Sequence, residues 1–257
     1  MAGHMACEKI ERKNMKIHLA QLIVENDLAV NFAKIRRVMA GVQAGEWVVF
    51  PEASLSGYFP DDPAYTSRLN AAEIEAAVGE IHDLVRARGC FCVLGTARQS
   101  QGKWENAAVV LSPTGPAETY AKIQLSALDA RHFRPGPFVP VFHINGIRVG
   151  IQLCRELLFP SQWAQLRQAG VKMVIHLNNA IKPHDAIWEH VVITRALEHA
   201  MYVCSVNNAA APQELTSYLV APNGKLLLKA APQTEEVLTA NIDLATVVQN
   251  VGERSDF

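Results

Sequence analysis

The chain has 257 residues, enough for one large domain or two small ones at roughly 150 residues per domain. Apolar residues make up 49% and charged residues 19%, and 15 Gly with 13 Pro are too few for a collagen-like or low-complexity chain, so the composition is that of a globular protein. The 24 basic and 25 acidic residues nearly cancel, and Lys and Arg cluster only in the short run from Glu8 to Lys16; this speaks against a nucleic-acid or membrane-surface footprint and for a small-molecule partner.

No stretch approaches the ~18 to 20 uncharged apolar residues that span a bilayer. The opening Met1-Ala2-Gly3-His4-Met5 lacks the basic start and apolar core of a secretory signal. Residues 1–14 read as a polar extension of cloning-vector origin and are set apart, which leaves 15–257 as a single domain. Five scattered cysteines, Cys7, Cys90, Cys92, Cys154 and Cys204, are an odd set without a disulfide framework and point to a reducing, cytoplasmic setting.

Lys16 to Leu22 reads as the first strand, with Asn26 and Asp27 as candidate caps of a helix. Leu28, Phe32, Ile35, Met39 and Val42 form one apolar stripe until Gly45. Trp47 to Phe50 is a short buried strand. Ile74, Val78, Ile81 and Val85 mark a second helix ending at Gly89, and Cys90 to Thr96 a third strand. The alternation then changes. Residues 104–111 and 117–122 flank the turn Ser112-Pro113-Thr114-Gly115-Pro116, and Asn145-Gly146 is a two-residue hairpin signal between 141–144 and 147–153. A helix at about 160–169, a strand at 171–177, a helix at about 184–200 and a strand at 202–206 follow. Strands at 217–221, 225–229 and 237–242 close the chain. About a dozen strands exceed a comfortable single sheet, so the expected fold is α/β, with two mixed sheets face to face and helices outside.

Polar residues directly after buried strands are the candidates for chemistry. Glu52 follows Trp47 to Pro51, Lys122 closes the strand containing Tyr120, and Cys154 follows Val149 to Leu153. Singly, these read as a turn carboxylate, a strand-end gatekeeper and a buried thiol. Together they supply a base, a cation and a nucleophile.

Phe50-Pro51-Glu52 with Gly57-Tyr58, Tyr120-Ala121-Lys122 with Phe133-Arg134-Pro135-Gly136, and Gly150 to Glu156 with Phe159-Pro160 resemble, in the same order, the three signature blocks of the nitrilase, or carbon–nitrogen hydrolase, superfamily. Trp188, Arg195-Ala196, Glu198, Tyr202-Val203, Asn207, Val220 to Gly224 and Ala240 to Asp243 are similar to its later segments, so the resemblance runs from about residue 16 to 245. It implies a four-layer α-β-β-α sandwich, a homodimer, and a Glu-Lys-Cys triad at Glu52, Lys122 and Cys154 needing neither metal nor organic cofactor. A free thiol with pKa ~8.5 is weakly nucleophilic at neutral pH, so Lys122 is expected to favour the thiolate while Glu52 shuttles the proton. Lys122 and the backbone N–H of Arg155 are the expected oxyanion donors. The implied activity is cleavage of a small linear amide through a Cys154 thioester, with N-carbamoyl compounds and nitriles as alternatives and a catalytically silent scaffold as the rival.

Three departures from the family pattern stand out. Asp129 occupies the place where many relatives carry a supporting Glu; being one methylene shorter, it either still assists Lys122 or pairs in solvent with Arg131. Ser161 stands where Glu is frequent. Arg155 replaces the usual aromatic after the nucleophile, and either binds a substrate carboxylate or holds Glu156. Tyr58, Asn178 and Asn179 are pocket-lining candidates, with hydrogen bonding to buried backbone as their other reading. Nine histidines form no metal motif. An unrelated Cys-His hydrolase would instead rely on His176 or His143. Cys90 and Cys92 share one strand face and read as core.

Overall fold

The computed structural model of the protein describes residues 14–180, 185–211, 213 and 215–247. Cys7, most of the basic run and the expected helix start near His184 lie outside the described residues. The first half alternates β1 (Asn14–Gln21), α1 (Leu28–Met39), β2 (Trp47–Val49), α2 (Ala71–Arg88) and β3 (Phe91–Ser100). Asp27 starts α1, its carboxylate accepting from the N–H groups of Ala29 and Val30 at 2.8 and 3.1 Å. Asn70 caps α2 in the same way. β1, β2 and β3 run parallel because each helix returns the chain to the same edge; β4 (Lys103–Leu111) and β5 (Glu118–Ala121) then add antiparallel.

The second half opens with β6 (Phe142–Ile144) and β7 (Ile147–Leu153), joined by Asn145-Gly146, both at positive φ as a primed hairpin turn requires. It continues through α3 (Pro160–Gln168), β8 (Met173–Leu177), α4 (Asp185–His199), β9 (Tyr202–Val206), β10 (Tyr218–Val220) and β11 (Leu226–Lys229). The last strand, β12 (Glu236–Asp243), leaves this sheet and pairs antiparallel with β1, placing Asn14 opposite Asp243. The two sheets have the orders β12-β1-β2-β3-β4-β5 and β11-β10-β9-β8-β7-β6.

Strand alternation builds the layers. Ile17, Leu19, Trp47, Val49, Val149, Ile151, Leu153, Ile175 and Leu177 face one another between the sheets. On the outer face of the first sheet, Val48, Phe50, Cys90, Cys92 and Leu94 meet Ile35, Met39, Ile81 and Val85 of α1 and α2. Val174 and Val203 meet Trp163, Leu166, Val192 and Ala196 of α3 and α4 on the other side. The result is the expected α-β-β-α sandwich. Each fully buried aliphatic side chain contributes about 1.5–3 kcal/mol by leaving water.

Element ends differ from expectation where periodicity and hydrogen bonding diverge. α1 stops at Met39 although the apolar stripe runs to Val42, because Val42 is buried from the following turn. β3 extends past Thr96 to Ser100 because β4 continues the ladder to the pair Ser100–Lys103, beyond the apolar run. Among the described residues no helix is long and apolar enough to cross a membrane.

Candidate active site

Glu52, Cys154 and Asn178 each follow the C-terminal end of a parallel strand, β2, β7 and β8 respectively, where open α/β sheets place their ligands. Glu52 is held by a close approach of backbones. A Cβ on Gly95 of β3 would lie 2.3 Å from Ala53 N and 2.6 Å from Glu52 Cα, so only glycine lets β3 pass this tightly. The carboxylate is fully buried. Its Oε1 accepts from Lys122 Nζ and from Asn106 Nδ2, both at 2.8 Å, whereas Oε2 has no hydrogen-bond partner. Burial raises the Glu52 pKa; the Lys122 charge opposes this and Asp129 adds to it, and the net shift is upward.

Lys122, one residue beyond β5, is buried between two carboxylates, 2.8 Å from Glu52 Oε1 and 2.9 Å from Asp129 Oδ2. Burial alone would lower its pKa, but Glu52, Cys154 and Asp129 together carry it upward, so it is an ammonium. Two of its three N–H donors are engaged and one is left. Asp129 therefore reaches Lys122 despite its shorter side chain, and is not paired with Arg131. Tyr58 donates to its Oδ1 at 2.7 Å and the Ser126 N–H to its Oδ2 at 3.1 Å. Burial pushes Asp129 up, yet Lys122 and these hydrogen bonds outweigh it and hold the carboxyl below its ordinary range.

Cys154 begins a 3₁₀ turn (Cys154–Leu158) with φ of 48°, a left-handed conformation that strains a non-glycine residue and marks a sharp strand-to-turn elbow. Burial and the Glu52 carboxylate push its thiol up, with Lys122 and the Asn179 backbone N–H pulling the other way without prevailing. Lys122 thus acts on the thiol in the expected direction, towards the thiolate, while burial and the two carboxylates oppose it.

Glu156 is the residue that sequence reasoning passed over. Fully buried, its Oε1 accepts from Tyr120 Oη at 2.6 Å and from the Ile123 and Gln124 N–H groups at 2.8 and 3.1 Å, while Oε2 accepts from the Leu153 N–H at 2.7 Å. One side chain thus ties the segment after Lys122 to the elbow carrying Cys154. Arg155 does not hold Glu156: its Nη1 donates to Leu125 O at 2.8 Å and its guanidinium lies 5.6 Å from the Phe159 ring centre. Asn106 was also missed; its only signal was a polar residue within an apolar strand.

The remaining candidates separate clearly. His176 bonds the Cys154 carbonyl through Nε2 at 2.8 Å and Ser205 Oγ through Nδ1 at 2.9 Å, so it supports the elbow's backbone. Burial lowers its pKa to about 4 and keeps it neutral. His143 is exposed on β6, and Ser161 on α3. Asn179 Oδ1 accepts from Asn208 and Gln213. Asn178 is fully buried with neither side-chain polar atom bonded, so the backbone-bonding reading does not hold for it. Arg195 donates from α4 to Leu157 O at 3.0 Å, and Asn207 Oδ1 accepts from the Ala180 N–H at 3.2 Å.

Fold and site define an α-β-β-α protein whose sheet ends converge on a buried carboxylate–lysine cluster beside a strained cysteine. The sequence profile of the carbon-nitrogen hydrolase family matches residues 15–250, and the chain belongs to that family of carbon–nitrogen bond hydrolases. It is 27% identical over 245 residues to an (R)-stereoselective amidase of Pseudomonas sp., covering 89% of this chain and 86% of that one. Over 230 residues it is 28% identical to a nitrilase of Pyrococcus abyssi, covering 84% and 85%. A solved structure of a Glu-to-Gln mutant of the Nesterenkonia sp. AN1 amidase superposes with a TM-score of 0.80 at 20% identity, over 94% of both chains; that protein carries the acetamide moiety of fluoroacetamide covalently on its active-site cysteine.

Proposed function

We propose that this protein cleaves the carbon–nitrogen bond of a small linear amide through a thioester on Cys154. The observation that carries this reading is the buried Lys122 ammonium clamped between Glu52 and Asp129, with Cys154 under the influence of all three charges. As Sγ attacks the amide carbon, Glu52 takes the thiol proton; Oε2, buried and unbonded, is the free acceptor, and the raised pKa of this carboxyl suits a group that both accepts and returns a proton. The remaining Lys122 N–H and the Arg155 backbone N–H, in the first turn of the 3₁₀ segment, stabilise the oxyanion. Glu52 then protonates the leaving nitrogen. Ammonia or an amine departs, water loses a proton to Glu52 as it attacks the thioester, and the acid leaves with the thiol restored.

Asp129, fixed by Tyr58, keeps Lys122 in register, and Tyr58, Arg155, Asn178 and Asn179 line the substrate side. The similarity to the Pseudomonas amidase supports an amide as the substrate class, and the similarity to the Pyrococcus abyssi nitrilase keeps nitriles as the alternative beside N-carbamoyl compounds. The family resemblance supports a homodimer, for which sedimentation at micromolar concentration is the check. Four described cysteines, all free, agree with a reducing cytoplasmic setting.

The test is ammonia release from aliphatic amides, ω-amido acids, N-carbamoyl compounds and nitriles by wild type and Cys154→Ala. Release by wild type that vanishes in the variant, together with an acyl-enzyme mass on Cys154, supports the proposal. Release that survives Cys154→Ala overturns it, and fast nitrile turnover without amide turnover moves the substrate class.

A further inference from the structure

We infer that His176 is a positioning residue for the hydrolysis: by holding the Cys154 carbonyl, it aims the Arg155 N–H at the developing oxyanion. This role deepens the amide-hydrolase reading above and rests on it. The carbonyl of Cys154 and the N–H of Arg155 belong to one peptide unit, which is planar and trans, so the two groups point in opposite directions. Fixing one therefore fixes the other. His176 Nε2 lies 2.8 Å from Cys154 O, and because a carbonyl only accepts, Nε2 carries the proton. Nδ1 is then an acceptor, and Ser205 Oγ, 2.9 Å away, donates to it. His176 and Ser205 are both fully buried and stand opposite each other in the β8–β9 ladder. Trp188 of α4 stacks on the imidazole with ring centres 6.4 Å apart. Burial keeps the ring neutral at working pH, so this tautomer persists.

Strand alternation gives the direction of the pull. Ile175 and Leu177 face the first sheet, whereas Val174 packs against α3 and α4, so His176 lies on the helix-facing side of β8. The Cys154 carbonyl is drawn to that side. The Arg155 N–H is turned the other way, towards the first sheet, which carries Glu52 beyond β2 and Lys122 beyond β5. Cys154 itself sits at a φ of 48°, a strained value that persists only where surrounding contacts hold it. The imidazole, locked between Ser205 and Trp188, is such a contact. A backbone donor turned away from its acceptor loses most of its effect, because hydrogen bonds weaken steeply as they bend. His176 thus acts on the reaction through a single peptide plane, and its loss is felt where negative charge forms on the substrate oxygen.

The experiment treats wild type, His176→Leu, His176→Gln and Ser205→Ala with two reagents for Cys154. Butyraldehyde adds to the sulfur as a hemithioacetal, the thiol proton passing to an oxygen that needs the oxyanion donors. Methyl methanethiosulfonate forms a disulfide with the same sulfur and releases methanesulfinate, building no charge on a carbonyl oxygen. Aldehyde affinity is read as protection of the Cys154 peptide from the thiosulfonate. His176→Leu is expected to bind butyraldehyde at least about tenfold more weakly than wild type, with its labelling rate in the absence of aldehyde within about twofold. Its kcat for butyramide falls by a similar factor while KM stays within about twofold, since the oxyanion forms only in the transition state. His176→Gln, whose side-chain N–H takes the place of Nε2–H, recovers most of the affinity, and Ser205→Ala, which unlocks the imidazole but leaves it present, loses about threefold. Should His176→Leu not fold, Ser205→Ala and His176→Gln carry the comparison. Aldehyde affinity unchanged in His176→Leu or Ser205→Ala, labelling that falls in step with it, or no aldehyde protection of wild type overturns the role. If wild type hydrolyses no amide, the amide-hydrolase reading fails on its own, and aldehyde protection still decides whether His176 aims the N–H.

Discussion

The Tyr58 hydroxyl donates a 2.7 Å hydrogen bond to Asp129 Oδ1 while the other oxygen of that carboxylate lies 2.9 Å from Lys122 Nζ. A phenol thus holds the short carboxylate on the ammonium. Removing it in Tyr58→Phe leaves a buried oxygen without a donor and lets Asp129 rotate off Lys122. Activity is expected to fall about tenfold, the scale of one hydrogen bond to a charged group. The lost bond favoured the ionised form, so the Asp129 pKa rises and the acid limb of the pH–rate profile moves to higher pH. A profile and rate equal to wild type would contradict this role.

Glu156→Gln should damage stability and reactivity together. The glutamate accepts from four donors, three of them backbone N–H groups, and an amide nitrogen in place of one oxygen can accept from none. A loss of about 2–4 kcal/mol in urea unfolding is expected, since buried N–H groups lose their partner. Because the same side chain fixes the Cys154 elbow, alkylation of Cys154 should also change rate. A stable variant with wild-type labelling would refute the link.

His176 makes the protein sensitive to acid. Its folded pKa of about 4 lies below the ordinary histidine value of ~6.5, so the unfolded chain binds a proton through this interval that the folded one refuses. Stability therefore rises with pH between about 4 and 6.5 and is lost on acidification through that window. The loss attributable to this residue is on the order of 3 kcal/mol. His176→Gln lowers stability at pH 7 but should flatten the pH dependence of the urea midpoint between 7 and 5. An undiminished slope would assign the acid loss to other groups.

Gly95→Ala tests the close approach that seats Glu52. The added methyl would meet Pro51 O at 2.5 Å and Ala53 N at 2.3 Å, both backbone atoms that cannot move independently. Substantial destabilisation is expected, read as a lowered melting temperature. A variant that folds normally and retains full activity would show that the Glu52 segment has room to shift.

The layers and the candidate set are legible in local patterns of the chain. Alternation in Val149, Ile151 and Leu153, the stripe through Ile35 and Met39, and the turn at Asn145-Gly146 are local patterns, so they are readable without the partner strands. The ordered blocks around Glu52, Lys122 and Cys154 named the family, which the profile match establishes. The rest depends on pairs far apart in the chain, which folding alone brings together. β12 returns to β1 across more than two hundred residues, Asp129 reaches Lys122 because Tyr58 comes from another loop, and Glu156 ties two sheets through donors more than thirty residues away. The balance of burial and charge around Cys154 belongs to the same class. A thiol's charge state follows from the burial and the carboxylates around it, and those are assembled by folding rather than written beside it in the sequence.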